Sequence, residues 1–248
     1  MPAMNPAHAS GRFLLAVALV VTVVAASIAG CAGYVNQRLE AALREALPRL
    51  VGPAERYDVS VRGADAAGSR VDEVHAVGIR VQRPRTPVLA RVDVTLRDVA
   101  VDRDARRVTS VGRATVALHL REQDMTDHLA GQRWVEGATV RFSGADEITV
   151  GGRLGIPGLT ALALLPAEFR GRVVARGAQL LLRIDAITIG AQAAPALARR
   201  AVEQAINPIF DAAEHAVPSQ IDAVQVAAGE LVIRASGSDL SLRPPTPR

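Results

Sequence analysis

The chain has 248 residues, 49% of them hydrophobic, 22% charged and only 3% aromatic, enough for one sizeable core and too balanced for wholesale disorder. Its 29 basic residues are all Arg, scattered among 25 acids for a net charge of +4; with one Trp, two Tyr and four Phe, it offers neither the basic runs nor the stacking aromatics of a nucleic-acid binder. A single Cys excludes an internal disulfide framework and any cysteine-rich zinc site.

Residues 13–30 carry no charge and follow a short polar stretch containing His8 and Arg12. A basic start, an apolar run and then small residues make an export signal, so residues 1–30 read as a signal peptide or signal anchor. Ile28-Ala29-Gly30-Cys31 matches a bacterial lipobox, which makes Cys31 the candidate lipidation site. Three readings stay open: lipidation at Cys31, an uncleaved anchor running on through Val35, or ordinary cleavage near Ala25 or Ala29. Each places the remainder outside the cytoplasmic membrane, and the first two hold it at that membrane's outer surface.

Residues 34–50 form an amphipathic helix, with Val35, Leu39, Ala42, Leu43, Ala46, Leu47 and Leu50 at three- and four-residue steps and Gly52-Pro53 as its stop. Such a helix covers a sheet or lies on lipid. Period-two segments follow. Tyr57, Val59 and Val61 form one; Val77, Ile79 and Val81 a second; Val92, Val94 and Leu96 a third; Ala114, Val116, Leu118 and Leu120 a fourth. One polar and one apolar face describe antiparallel sheet. The apolar parity of the third strand changes from 96 to 99, which predicts a β-bulge near Arg97-Asp98. Residues 121–130 read as a short helix. Strands resume at 138–142 and 147–154, an apolar stretch covers 159–165, and Phe169, Val173 and Val174 lead into 179–189, where a second parity change predicts a second bulge. Residues 194–216 read as a long helix, kinked or broken at Asn207-Pro208. A strand pair at 221–226 and 231–235 closes a single domain over 31–236, and residues 237–248 read as a disordered Pro-rich tail.

Little in the chain points to catalysis or cofactors. His75, His119, His128 and His215, with Asp124 and Asp127, are the potential ligands, and no complete metal set emerges from them. There is no nucleophile elbow, His-Glu-x-x-His helix or Walker loop. No cofactor and no catalytic residue are expected. What the chain does offer is aliphatic surface. The even face of the third and fourth strands (Val92, Val94, Leu96, Val116, Leu118), with Leu180, Leu182 and Ile184, is the candidate lining of an apolar groove for an acyl chain. The same residues would equally make an ordinary filled core.

The order of segments resembles the LmeA-like family of phospholipid-binding proteins of actinobacterial envelopes. The resemblance rests on residues 57–63 (Tyr57-Asp58-Val59-Ser60-Val61-Arg62-Gly63), 71–80, 89–99, 112–118 and 122–127, and on Asn207-Pro208-Ile209. It implies an α+β fold related to tubular lipid-binding domains, in which a long curved antiparallel sheet wraps one or two long amphipathic helices. It also implies phospholipid as partner and, in one branch, support of lipid-linked mannan maturation. A membrane-attached, non-catalytic protein that holds or transfers phospholipid is therefore expected. The competing class is an envelope scaffold with a filled core that recruits an enzyme.

Overall fold

The computed structural model describes residues 32–65, 69–83, 86–102, 107–132, 135–144, 146–154, 166–190, 192–211 and 220–241. Among these residues three helices, α1 (Ala32–Leu50), α2 (Glu122–Ala130) and α3 (Ala196–Ile206), accompany twelve strands. The strands are β1 (Arg56–Ala64), β2 (Arg70–Val81), β3 (Leu89–Asp102), β4 (Arg107–Arg121), β5 (Val135–Gly144), β6 (Glu147–Leu154), β7 (Pro166–Arg176), β8 (Gln179–Ile189), β9 (Gln192–Ala193), β10 (Phe210–Asp211), β11 (Ile221–Ala227) and β12 (Glu230–Ser241). They make two antiparallel sheets, ordered β1-β2-β3-β4-β12-β11 and β10-β8-β7-β6-β5, with β9 added on β8. No described helix is long and apolar enough to cross a membrane.

The inner face of the first sheet carries two cores. At one end Val92, Val116, Leu118, Leu120, Leu231 and Ile233 meet Val140, Phe142, Val150, Phe169, Leu180, Leu182 and Ile184 of the second sheet. At the other end Val59, Val61, Val74, Ala76, Val99, Val101 and Val111 receive Val35, Leu39 and Leu43 of α1. Thus α1 covers a sheet, the first of its two expected roles.

The parity change in β3 is present: Val92 is buried, Arg97 and Asp98 both face out, and Val99 and Val101 are buried. Its cause is not a bulge at that point. The pairing of β3 with β4 keeps one register from Arg91–His119 to Ala100–Ser110 and shifts only between Ala100 and Val101. The same change occurs in neighbouring strands at one transverse row, Gly63, Asp72, Asp98, Gly112 and Asp239, on either side of which pairing continues unshifted. Because each strand takes up its extra residue at the same level, no register is lost. Gly63, Asp98 and Asp239 adopt positive φ there (66°, 52° and 52°). The Asp72 side chain fills the place of a Gly63 Cβ, and that of Asp98 lies over Gly112.

Three further expectations need correction. In β2 the buried face is Val74, Ala76 and Gly78, while Val77 and Ile79 are only partly buried. The ring of Tyr57 lies against Gly78, so small residues occupy the inner positions. The helix expected over 194–216 ends at Ile206; Asn207-Pro208 is cis, and Phe210–Asp211 pairs with β8 instead. Finally, β12 runs to Ser241 against Ser110, five residues beyond the boundary drawn at 236. The second expected bulge is present, with the β7–β8 register shifting between Arg170 and Gly171 opposite Asp185.

Helix side chains complete the edges of the sheets. Glu40 of α1 accepts the Val61 N–H of edge strand β1 (2.9 Å). Glu122 and Thr126 of α2 accept the Phe142 and Val140 N–H groups of edge strand β5. Glu203 accepts the Ile184 N–H (2.7 Å), and Asn207 brackets Leu182, accepting its N–H (2.7 Å) and donating to its carbonyl (2.9 Å). Asn207→Ala leaves both Leu182 backbone groups without this partner. It should cost about 1–3 kcal/mol by denaturant titration, with amide exchange at Leu182 accelerating more than at Val150. Unchanged protection at Leu182 would show that the bracket is dispensable.

Candidate functional site

The eight candidate groove residues come from the inner faces of two sheets, and six of them face each other. Val92, Val116 and Leu118 lie on the inner face of the first sheet and Leu180, Leu182 and Ile184 on that of the second, all six buried in one apolar cluster. The bulge opposite Asp185 explains why 180, 182 and 184 point inward together with Ile187. Burial of this aliphatic surface, at about 25 cal/mol per Å², is the main force holding the sheets together.

Val94 and Leu96 differ from the other six. They sit on the same inner face, between buried neighbours Ala76 and Val116 and buried neighbours Val74 and Ala114, yet each is only partly buried. Strands flank them on both sides, so their exposure opens from above the sheet. Val94, like Leu47 of α1, packs against both cores. The position is therefore a seam in the interior, with Val94 and Leu96 as its floor, between the part covered by α1 and the part covered by the second sheet.

The outer face is polar. Asp93 accepts two hydrogen bonds from Arg91 (2.8 and 2.6 Å) and lies 3.4 Å from Nε2 of His119, whose Nδ1 is 3.1 Å from Glu230. His75 is 4.0 Å from Asp93. Further along the same face the unpaired row borders an open hollow of about 560 Å³ lined by Ser69, Arg70, Asp98, Gly112 and Asp239 among others.

Of the residues weighed as metal ligands, His75 and His119 both approach Asp93, and Asp124, Asp127 and His128 have other surroundings. Asp124 is buried at 6% exposure and faces Arg80 (3.4 Å), which also pairs with Glu55 (3.1 Å), so its charge ties α2 to β2. Asp127 accepts from Gln123, and burial holds the His128 imidazole below its ordinary pKa. Among the described residues no three His, Cys, Asp or Glu side chains are placed to hold a metal ion. Cys31 and His215 lie outside the described residues. Sequence reasoning placed Tyr57 in a strand but gave it no anchoring role; its hydroxyl donates to the Gly52 carbonyl (2.7 Å), and its pKa is pushed up to about 12 by burial, with Arg83 opposing. It thus stays a neutral donor that fixes the turn between α1 and β1.

The sequence profile of the LmeA-like phospholipid-binding family matches residues 26–236. No curated protein and no solved structure matches the chain.

The two kinds of position should respond differently to a charge. Leu182→Asp places a carboxylate in the sealed cluster and should cost on the order of 4 kcal/mol or more. Leu96→Asp, on the seam floor, should cost clearly less, because water reaches it. Equal losses in thermal unfolding would show that the seam is as dry as the core.

Proposed function

We propose, from the premise that the chain belongs to the LmeA-like phospholipid-binding family, that it is a membrane-attached, non-catalytic extracytoplasmic protein that holds or hands over phospholipid in the cell envelope. An acyl chain is taken up at the seam over Val94 and Leu96, the stretch of the first sheet's inner face that α1 and the second sheet leave partly uncovered. The partial exposure of these two side chains, amid buried neighbours on an aliphatic face, is the observation that supports this site. Each methylene taken up from water contributes about 0.8 kcal/mol, so a chain needs no aromatic or charged partner to stay. The polar headgroup remains outside, where the sheet rims carry Arg and Asp. The reception of α1 on the inner face of the first sheet supports the relation to tubular lipid-binding domains; the strands form two open sheets instead of one long wrapped sheet, and α2 and α3 are short helices at the rims.

Phospholipid in the protein extracted under native conditions, detected by mass spectrometry, is the expected result. Val94→Trp separates a lipid site from a filled core: an indole over the seam should lower fluorescent-phospholipid uptake with little change in melting temperature. In a filled core the same residue overpacks by about 1–3 kcal/mol. A large fall in melting temperature, with no lipid on the wild-type protein, would favour the scaffolding role.

Attachment is proposed to run through Cys31, as the residue that the lipobox marks, or through an uncleaved segment 13–30. A single acyl chain binds membranes only marginally, so firm attachment by lipidation requires more than one. Cys31→Ser should abolish labelling by a fatty-acid probe and release or mislocalise the protein. Retention without labelling would assign the anchor to segment 13–30.

A further inference from the structure

The short distance between the apolar segment and the first core residue restricts how the domain stands on its membrane. Only residues 31–34 separate the uncharged run 13–30 from Val35, which is fully buried against the first sheet. Residues 32–35 already belong to α1 and rise only about 5 Å along it. Only Cys31 lies between that run and the start of α1. The direction of α1 is fixed by two observations: Glu40 meets Val61 of β1, and Leu47, further on, reaches the junction of the two cores. Hence α1 runs antiparallel to β1, and its start lies at the end of the sheet where β1 finishes at Ala64 and β2 begins at Arg70. On β4 this is the level of Ser110, since Arg70 pairs with Ala100 and Ala100 with Ser110.

We propose that this end of the first sheet rests on the outer surface of the lipid bilayer, in the headgroup layer, and that the two-sheet end points away. The proposal relies on the attachment proposed above, and holds for either anchor, because both leave the same short spacer. The chemistry of the end suits headgroups better than hydrocarbon. The open polar hollow lies here, with Ser69, Arg70, Asp98 and Asp239 around it. Arg62, Arg70, Arg97 and Arg113 stand here among Asp65, Asp72, Glu73, Asp98 and Asp239, with Arg97 paired to Glu73 (3.1 Å), so these groups carry no net positive charge and attachment comes from the tether and resists salt. Nothing described pulls the opposite end down. The large apolar side chains exposed among the described residues are Val174 and Leu197, on separate elements, and single exposed apolar residues are ordinary.

The absence of Lys from the chain makes the test clean, since Arg→Lys installs one reactive amine with the charge kept. Arg70 and Arg121 are both exposed, and Arg121 lies eleven residues along β4 from Ser110, about 35 Å at about 3.3 Å per residue. The full chain carrying Arg70→Lys or Arg121→Lys is reconstituted into phosphatidylcholine vesicles, labelled from outside with an amine-reactive fluorophore, and quenched by lipid bearing a headgroup nitroxide. Wild-type protein reports the α-amine background. A severalfold loss of fluorescence for Arg70→Lys, none above background for Arg121→Lys, and retention on the vesicles after a high-salt wash are expected. Comparable quenching of both labels, or stronger quenching of the Arg121→Lys label, on protein that floats with the vesicles overturns the orientation alone. Protein that does not float with the vesicles overturns the attachment and the orientation with it.

Discussion

An open sheet leaves backbone N–H and C=O groups along its edges, and these must be paired, hydrated or covered. The architecture follows from how this chain meets that requirement. Two open sheets present four edges. Glu40 attends to β1, Glu122 and Thr126 to β5, and Glu203 and Asn207 to the stretch of β8 that the short β10 leaves unpaired. The remaining edge, β11, is met by the Gly177 carbonyl at Ile221 and by Asp146 at Val226. Each helix is thereby held to a rim by a carboxylate, hydroxyl or amide that substitutes for a missing strand.

α2 and α3 close the rims and each adds a buried side chain, Met125 and Val202, to the inter-sheet core; otherwise the inner faces of the sheets meet each other and α1. Two coverings of one long sheet meet over Val94 and Leu96, and neither closes fully upon them. A discontinuity of this kind follows from covering one face with two bodies of different shape, a helix and a sheet. It also leaves two aliphatic side chains of the interior within reach of solvent, where the proposed lipid site lies.

Much of the strand pattern was legible because period-two alternation is a local signal. The changes of face in β3 and β8 could be read directly from the residues flanking Asp98 and Asp185. Their causes could not. Whether a change of face is a bulge or part of a row depends on what neighbouring strands do at that level, and Gly63, Asp72, Gly112 and Asp239 are distant in sequence. The face of β2 was misread because Val77 and Ile79 are apolar but outward, while Gly78 is inward to accommodate Tyr57. For α3, helical periodicity continues past Pro208 in the sequence, yet the pairing of Phe210 with Leu180 draws the chain into the second sheet. Of the candidate interior, the residues were recoverable from alternation alone; the unequal burial of Val94 and Leu96 was not, since it depends on what lies above them.

The transverse row has a consequence for how such a chain can change length. Removing Asp98 alone would slip one flank of β3 by a residue against both β2 and β4, and would turn either Val99 and Val101 or Val92 and Val94 toward solvent. The same holds for Asp72 between β1 and β3, and for Gly112 between β3 and β12. Only the loss of one residue from every strand at that level would restore a continuous ladder. Insertions and deletions there are therefore locked together across five strands, and neither glycine of the row can take a side chain without displacing Asp72 or Asp98.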